Sequence, residues 1–184
     1  LIDNDAVQKA ELLLKELNLT PEDRKVVQPA KKAAEECESH HKGNEGIYCG
    51  AAIELKDGTI ITGKNSSLMH AASSVILNAA KYLAKIPDNI HLLSPNITES
   101  INKFKKDILN KKNVSLDLEE TLISLSISAT TSPTAQIAME QLKDLRGCEM
   151  HMSHIPTPGD ESGLKKLGIH LTSEPDFSTK TLFV

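Results

Sequence analysis

The sequence predicts a layered α/β domain on a mixed sheet, preceded by a small helical subdomain. Two strand-like runs flank an Asp57-Gly58 turn signal. From Ile47 onward, apolar stripes of helical spacing alternate with short apolar runs, giving the order β-β-α-β-α-α-α-β-α-β. Before Ile47 the apolar residues recur only at helical spacing. The expected division is therefore a helical piece over 1–46 and an α/β domain over 47–184.

Val7, Ala10, Leu13, Leu14 and Leu17 make Asp5–Leu17 an amphipathic helix, with Asn18 as its stop. Thr20-Pro21 starts a second stripe through Val26, Val27, Ala30, Ala33, Ala34 and Cys37, which Pro29 should kink or divide. Tyr48–Leu55 and Thr59–Gly63 are the hairpin strands. Leu68–Lys85 is a long helix with Val75, Ile76, Ala79, Ala80 and Leu83 inward. Ile90–Leu93 reads as a short buried strand. Ile97–Asn110 reads as a helix with Ile97, Ile101, Phe104, Ile108 and Leu109 inward. Asp117 and Glu120 have capping-box spacing for a helix to about Ala129. Thr130-Thr131-Ser132-Pro133 starts another, reaching Leu145. Cys148–His154 is a strand, Ser162–Leu167 a short helix and Ile169–Thr172 the last strand.

Composition narrows the function. Aromatics are 3% with no Trp, which leaves no stacking platform for bases, and the net charge of -4 gives no pull on phosphate backbones. No nucleic-acid partner is expected. No apolar run nears the length of a membrane span, so no membrane partner is expected either. Cys37, Cys49 and Cys148 lack paired spacing and suit free thiols in a reducing cytoplasm.

The stretch Gly50–Ala72 runs strand, turn, strand, loop and helix start, ending in His70-Ala71-Ala72. It resembles nucleoside deaminases, which reach His-Ala-Glu or Cys-Ala-Glu at this point. The resemblance extends to Ser94, and Gly168-Ile169 before a last strand is similar too. It implies a three-layer cytidine-deaminase-like sandwich. Ala72, however, stands where the proton-shuttling Glu belongs, and Ser94-Pro95-Asn96-Ile97-Thr98-Glu99 stands where Pro-Cys-x-x-Cys belongs. No zinc, no other cofactor and no deamination are expected. Longer stretches, Gly50–Ser66, Leu68–Ser73 and Arg146–Glu161, resemble the C-terminal half of the bacterial domain-of-unknown-function family eighteen-forty-six. That resemblance covers essentially the whole chain. It implies a bacterial piece of a longer protein, whose larger N-terminal region would be a partner.

Several residues are candidates for a small phosphorylated ligand. Asn65 matches a sugar-contacting Asn of deaminases, and Ser66 adjoins it. His70 opens the long helix. Thr130, Thr131 and Ser132 precede a helix start suited to an anion. His154, Thr157 and Asp160 follow a strand end, where open α/β sheets bind ligands. Each also has a plain structural role as cap or turn. The leading expectation is a nucleotide or phosphometabolite-binding domain that aids assembly of a larger protein, as a homo-oligomer. One alternative is a metal-free transferase-type enzyme using Lys64 and His70, as formyl-transferring relatives of deaminases do. The other is a structural domain with a vestigial pocket.

Overall fold

The computed structural model describes residues 4–177, so the outermost residues of both expected ranges, 1–3 and 178–184, lie outside the described residues. In chain order the elements are α1 (Asn4–Glu16), α2 (Val27–Ser39), β1 (Gly50–Glu54), β2 (Ile60–Lys64), α3 (Ala71–Leu83), α4 (Pro95–Asp107), α5 (Leu118–Ala129), α6 (Pro133–Gln141), β3 (Glu149–Met152), α7 (Pro158–Leu167) and β4 (His170–Ser173). Short 3₁₀ turns at Pro21–Asp23 and Leu142–Leu145 join some of them. Seven α-helices and one four-stranded mixed sheet thus make up the described residues, as the α/β reading predicts.

The strand order is β2-β1-β3-β4. β1 runs antiparallel to both β2 and β3, placing Ile53 opposite Ile61 and Met150. β3 runs parallel to β4, with Met150 opposite Leu171. Alternation sends Ala51, Ile53, Met150 and Met152 to one face, where they bury against α3, Leu118 and Leu164. Ala52 faces the other way and meets Val26 and Ala30, so α2 covers the second face. A separate cluster fills the space between α3, α5 and α6: Leu77, Ala80, Leu125, Ala135 and Ala138. Each fully buried Leu or Ile contributes roughly 1.5–3 kcal/mol through removal from water. The three cysteines are free and buried.

The hairpin turn closes as its sequence requires. Leu55 N–H donates to Thr59 O at 2.8 Å, and Asp57 Oδ1 accepts from Thr59 N–H at 2.9 Å. On β2, Gly63 is there for proximity: a Cβ at that position would stand 2.2 Å from Val75 N on α3. The helix therefore rests directly on strand backbone, which fixes the height of its first residue over the sheet.

Three local expectations need correction. Ile90–Leu93 is not a strand; Leu92 and Leu93 instead insert their side chains into the cluster between α3, α5 and α6. A four-residue apolar run is read equally well as strand or as buried coil, and here Pro87 and Pro95 hold it irregular. Phe104 on α4, and Ile108 and Leu109 just after it, are exposed, while Thr98 and Lys105 on α4 are buried. The stripe is turned because the Lys105 ammonium is satisfied underneath, by Ser115 O at 2.7 Å and Glu120 Oε2 at 2.6 Å. Pro29 neither kinks nor divides α2: it sits in the first turn, where its missing N–H would have no intrahelical partner.

Gly63→Ala should lower stability by about 1–3 kcal/mol through overpacking against α3. Urea unfolding should show a lower midpoint with an unchanged slope; a wild-type midpoint would mean that strand and helix have slack between them.

Candidate functional site

Three helix starts converge on one buried carboxylate. β3 ends at Met152, and the chain passes through Pro156 into α7, whose N-cap is Thr157. Asp160, in the first turn of α7, has no exposed surface. Its Oδ2 lies 2.8 Å from His70 Nδ1 and accepts from Thr157 Oγ1 at 2.7 Å. Its Oδ1 accepts from Leu118 N–H at 2.9 Å. His70 is the N-cap of α3 and Leu118 is the first residue of α5, so the carboxylate ties α3, α5 and α7 together. Burial alone would push the Asp160 carboxyl up; the bonds from His70, Thr157 and Leu118 outweigh it and hold the group below its ordinary value.

Around this knot lies a cleft in two parts. The outer cavity, about 710 Å³, is lined by His70, Thr157 and Gly159 on one side and by Lys105, Lys111 and Lys112 on the other. Glu45 and Asp117 also reach its wall, and burial pushes the Asp117 carboxyl above its ordinary value. Lys105 is paired with Glu120, whereas Lys111 and Lys112 make no ion pair among the described residues. The inner chamber, about 130 Å³, shares His70, Asn113, Ser115 and Thr157 with the outer cavity and adds Cys49, Asn65 and His154. Burial lowers His154 to about 4, so its imidazole is neutral at neutral pH. Burial raises the Cys49 thiol to about 12, which keeps it protonated.

Of the candidate residues, Asn65, His70, His154 and Thr157 line this cleft, and Asp160 stands behind His70. Asn65 is already committed there: its Oδ1 accepts from Cys49 N–H at 2.8 Å and its Nδ2 donates to Ile47 O at 2.9 Å. Ser66 closes a turn by accepting from Leu68 N–H at 3.2 Å. Thr130, Thr131 and Ser132 line neither part. Thr130 Oγ1 donates to Ile127 O at 2.6 Å, Thr131 Oγ1 to Ser128 O at 3.5 Å, and Ser132 caps α6 by accepting from Ala135 N–H at 3.3 Å. Lys64 is not brought to His70 either; it pairs with Glu36 at 2.6 Å. Ala72, in the place of the deaminase Glu, is buried in the core. Among the described residues no group of three His, Cys, Asp or Glu side chains could hold a metal ion.

From sequence, the basic clusters Lys103–Lys106 and Lys111-Lys112 read as a solvated helix face and Ser115 as a candidate helix cap, so none of Lys105, Lys111, Lys112, Asn113 and Ser115 is expected at a site. The one signal that could have placed the Asn110–Asn113 run at the cleft is its position just before the capping box of α5. Asn113 Oδ1 accepts from Ser115 N–H at 3.0 Å and from Asn44 Nδ2 at 3.1 Å, which holds the loop against the cleft.

A family model described as domain of unknown function DUF1846, C-terminal, matches residues 22–183. Among curated relatives, a UPF0371 protein of Clostridium tetani is 43% identical over 182 residues, covering 99% of this chain and 36% of the relative. A UPF0371 protein of Clostridium botulinum strain Alaska E43 is 45% identical over 181 residues, 98% of this chain and 36% of the relative. One from Clostridioides difficile is 43% identical over 182 residues, again 99% and 36%. The chain thus spans little more than a third of the length of these relatives.

The buried histidine gives the site a pH signature. The unfolded chain takes up a proton on His154 near the ordinary value of 6.5, the folded chain only near 4. Between those values the unfolded state holds more protons, so stability is lost as pH drops from about 6.5 toward 4, by up to about 3 kcal/mol from this group. Asp160 acts in the same sense further down, its contribution being lost as pH falls through its depressed folded value. Urea unfolding across this range should show a shallower acid slope for His154→Asn; a wild-type slope in that variant would contradict a neutral buried imidazole.

Proposed function

This chain belongs to the family described as domain of unknown function DUF1846, C-terminal, and we propose that it binds a small phosphorylated metabolite, a nucleotide or sugar phosphate, in the cleft at His70. The observation that carries this reading is the pair of unpaired ammonium groups, Lys111 and Lys112, lining with the start of α7 a cavity of about 710 Å³. Helix starts present N–H groups and a partial positive charge to an anion. Gly159 N–H makes no hydrogen bond among the described residues, and a Cβ there would stand 2.3 Å from Asp117 Oδ2, so only glycine lets α7 begin this close to α5. We read the layered sheet as the cytidine-deaminase-like sandwich that the sequence resemblance implies, with Ala72 in place of the acid–base Glu. The buried free thiols suit a reducing cytoplasm.

Isothermal titration with inorganic phosphate, adenosine monophosphate and a pentose phosphate tests the reading. At least one should bind, and Lys111→Ala with Lys112→Ala should weaken it roughly tenfold or more, since each lost charge-assisted contact costs about 1.5–3 kcal/mol. No binding by any of the three would refute it.

A second reading concerns assembly, and α1 favours it. Leu12 and Leu13 on this helix, and Leu17 just after its end, are exposed. No helix among the described residues is long and apolar enough to cross a membrane, so these side chains do not mark a span. The surface they form suits the remaining length of a longer parent protein. Leu13→Gln with Leu17→Gln should leave unfolding within about 0.5 kcal/mol of wild type while abolishing capture of that N-terminal region made as a separate chain; undiminished capture would contradict it.

A further inference from the structure

The two parts of the cleft differ in charge. Lysines line only the outer cavity, while the inner chamber has no lysine or arginine in its wall. His70 belongs to both. A ligand with its phosphate among the lysines therefore extends an uncharged end past His70 into the inner chamber. At about 130 Å³ that chamber holds a fragment the size of roughly four water molecules, a hydroxy-carbonyl group for example.

The two imidazoles facing that fragment are set up differently. Ionised Asp160 can only accept, so the ring nitrogen 2.8 Å from it carries the hydrogen. That leaves the lone pair of a neutral His70 on Nε2, which makes no hydrogen bond among the described residues and is not among the sealed-in unpaired polar atoms. His154 stands in the chamber wall with its Nδ1 3.5 Å from Ser153 Oγ, and burial holds it neutral, so it offers an uncharged N–H rather than an imidazolium. A base backed by a carboxylate and a neutral ring donor form a pair suited to making and unmaking an enediolate.

We propose that the inner chamber is a proton-transfer site for a small phosphorylated hydroxy-aldehyde or hydroxy-ketone, with His70 as the base and His154 as the donor to its carbonyl oxygen. The proposal rests on phosphate binding in the outer cavity. In the step, His70 Nε2 takes the proton from the hydroxyl-bearing carbon beside the carbonyl. The C–H electron pair becomes the C=C bond, and the carbonyl π pair moves onto oxygen, where the His154 N–H donates. The imidazolium then returns its proton to the former carbonyl carbon while the hydroxyl proton passes to the neighbouring oxygen. Aldehyde and ketone interconvert, and nothing is consumed. Asp160 is a positioning residue: it holds the ring in the tautomer with a free Nε2 and stays ionised throughout.

The test is solvent exchange. The protein is incubated in deuterated buffer with glyceraldehyde phosphate or an aldopentose phosphate, and loss of the carbon-bound proton beside the carbonyl is followed by NMR. Wild type should exchange it well above the buffer rate. His70→Gln should slow exchange at least about a hundredfold, and His154→Phe should slow it too. Asp160→Asn should lower the exchange rate at saturating substrate more than it weakens substrate binding, a split that loss of packing alone would not produce. Phosphate binding by wild type without exchange, or exchange that survives His70→Gln, overturns this proposal and leaves the binding reading standing. Absence of phosphate binding overturns both.

Discussion

A carboxylate with no exposed surface is stable only if its lone pairs are met, and Asp160 meets them with an imidazole, a hydroxyl and a backbone amide from three elements. Leaving such a group buried but short of a partner costs several kcal/mol, so the three contacts must form together. Their common consequence is spatial. The first residues of α3, α5 and α7 are locked to one another, and His70 has no freedom to turn its ring away. The cleft inherits its shape from that lock.

What lets the helix starts meet is close packing behind them. α3 rests on β2 backbone at Gly63 and carries Ala71, Ala72, Ala79 and Ala80 on its buried side. Small side chains keep the helix low on the sheet, and low placement brings His70 level with the residues that leave β3. The parallel join of β3 to β4 sends the chain through α7, so Thr157 and Asp160 arrive at the same height. On the far side, buried Lys105 connects the end of α4 to Ser115 and Glu120, which holds the basic Asn110–Asn113 loop over the cleft.

Local rules explain what could be read from sequence. The Asp57-Gly58 hairpin, the α3 stripe and the Asp117–Glu120 box depend on residues a few positions apart, and each stands where its pattern says. The errors come from partners that are distant in the chain. Nothing near Lys105 announces that it will be buried, because Ser115 and Glu120 satisfy it across a loop. Nothing near Leu92 and Leu93 says that they pack as coil. For the cleft, His70, His154 and Thr157 were legible as polar residues at element ends. The pairing of His70 with Asp160 spans 90 positions and is visible only in three dimensions. Asp160 looked like a helix cap; in the folded chain Thr157 caps α7, and the aspartate reaches across to two other helices.

Asp160 fixes the His70 ring with its hydrogen on Nδ1 and its lone pair turned to the cleft. Long-range proton–nitrogen NMR of the imidazoles at mildly alkaline pH reads this directly. His70 should be the Nδ1–H tautomer in wild type, and a mixture or the other tautomer in Asp160→Asn. A His70 ring protonated on Nε2 in the wild-type protein would contradict it.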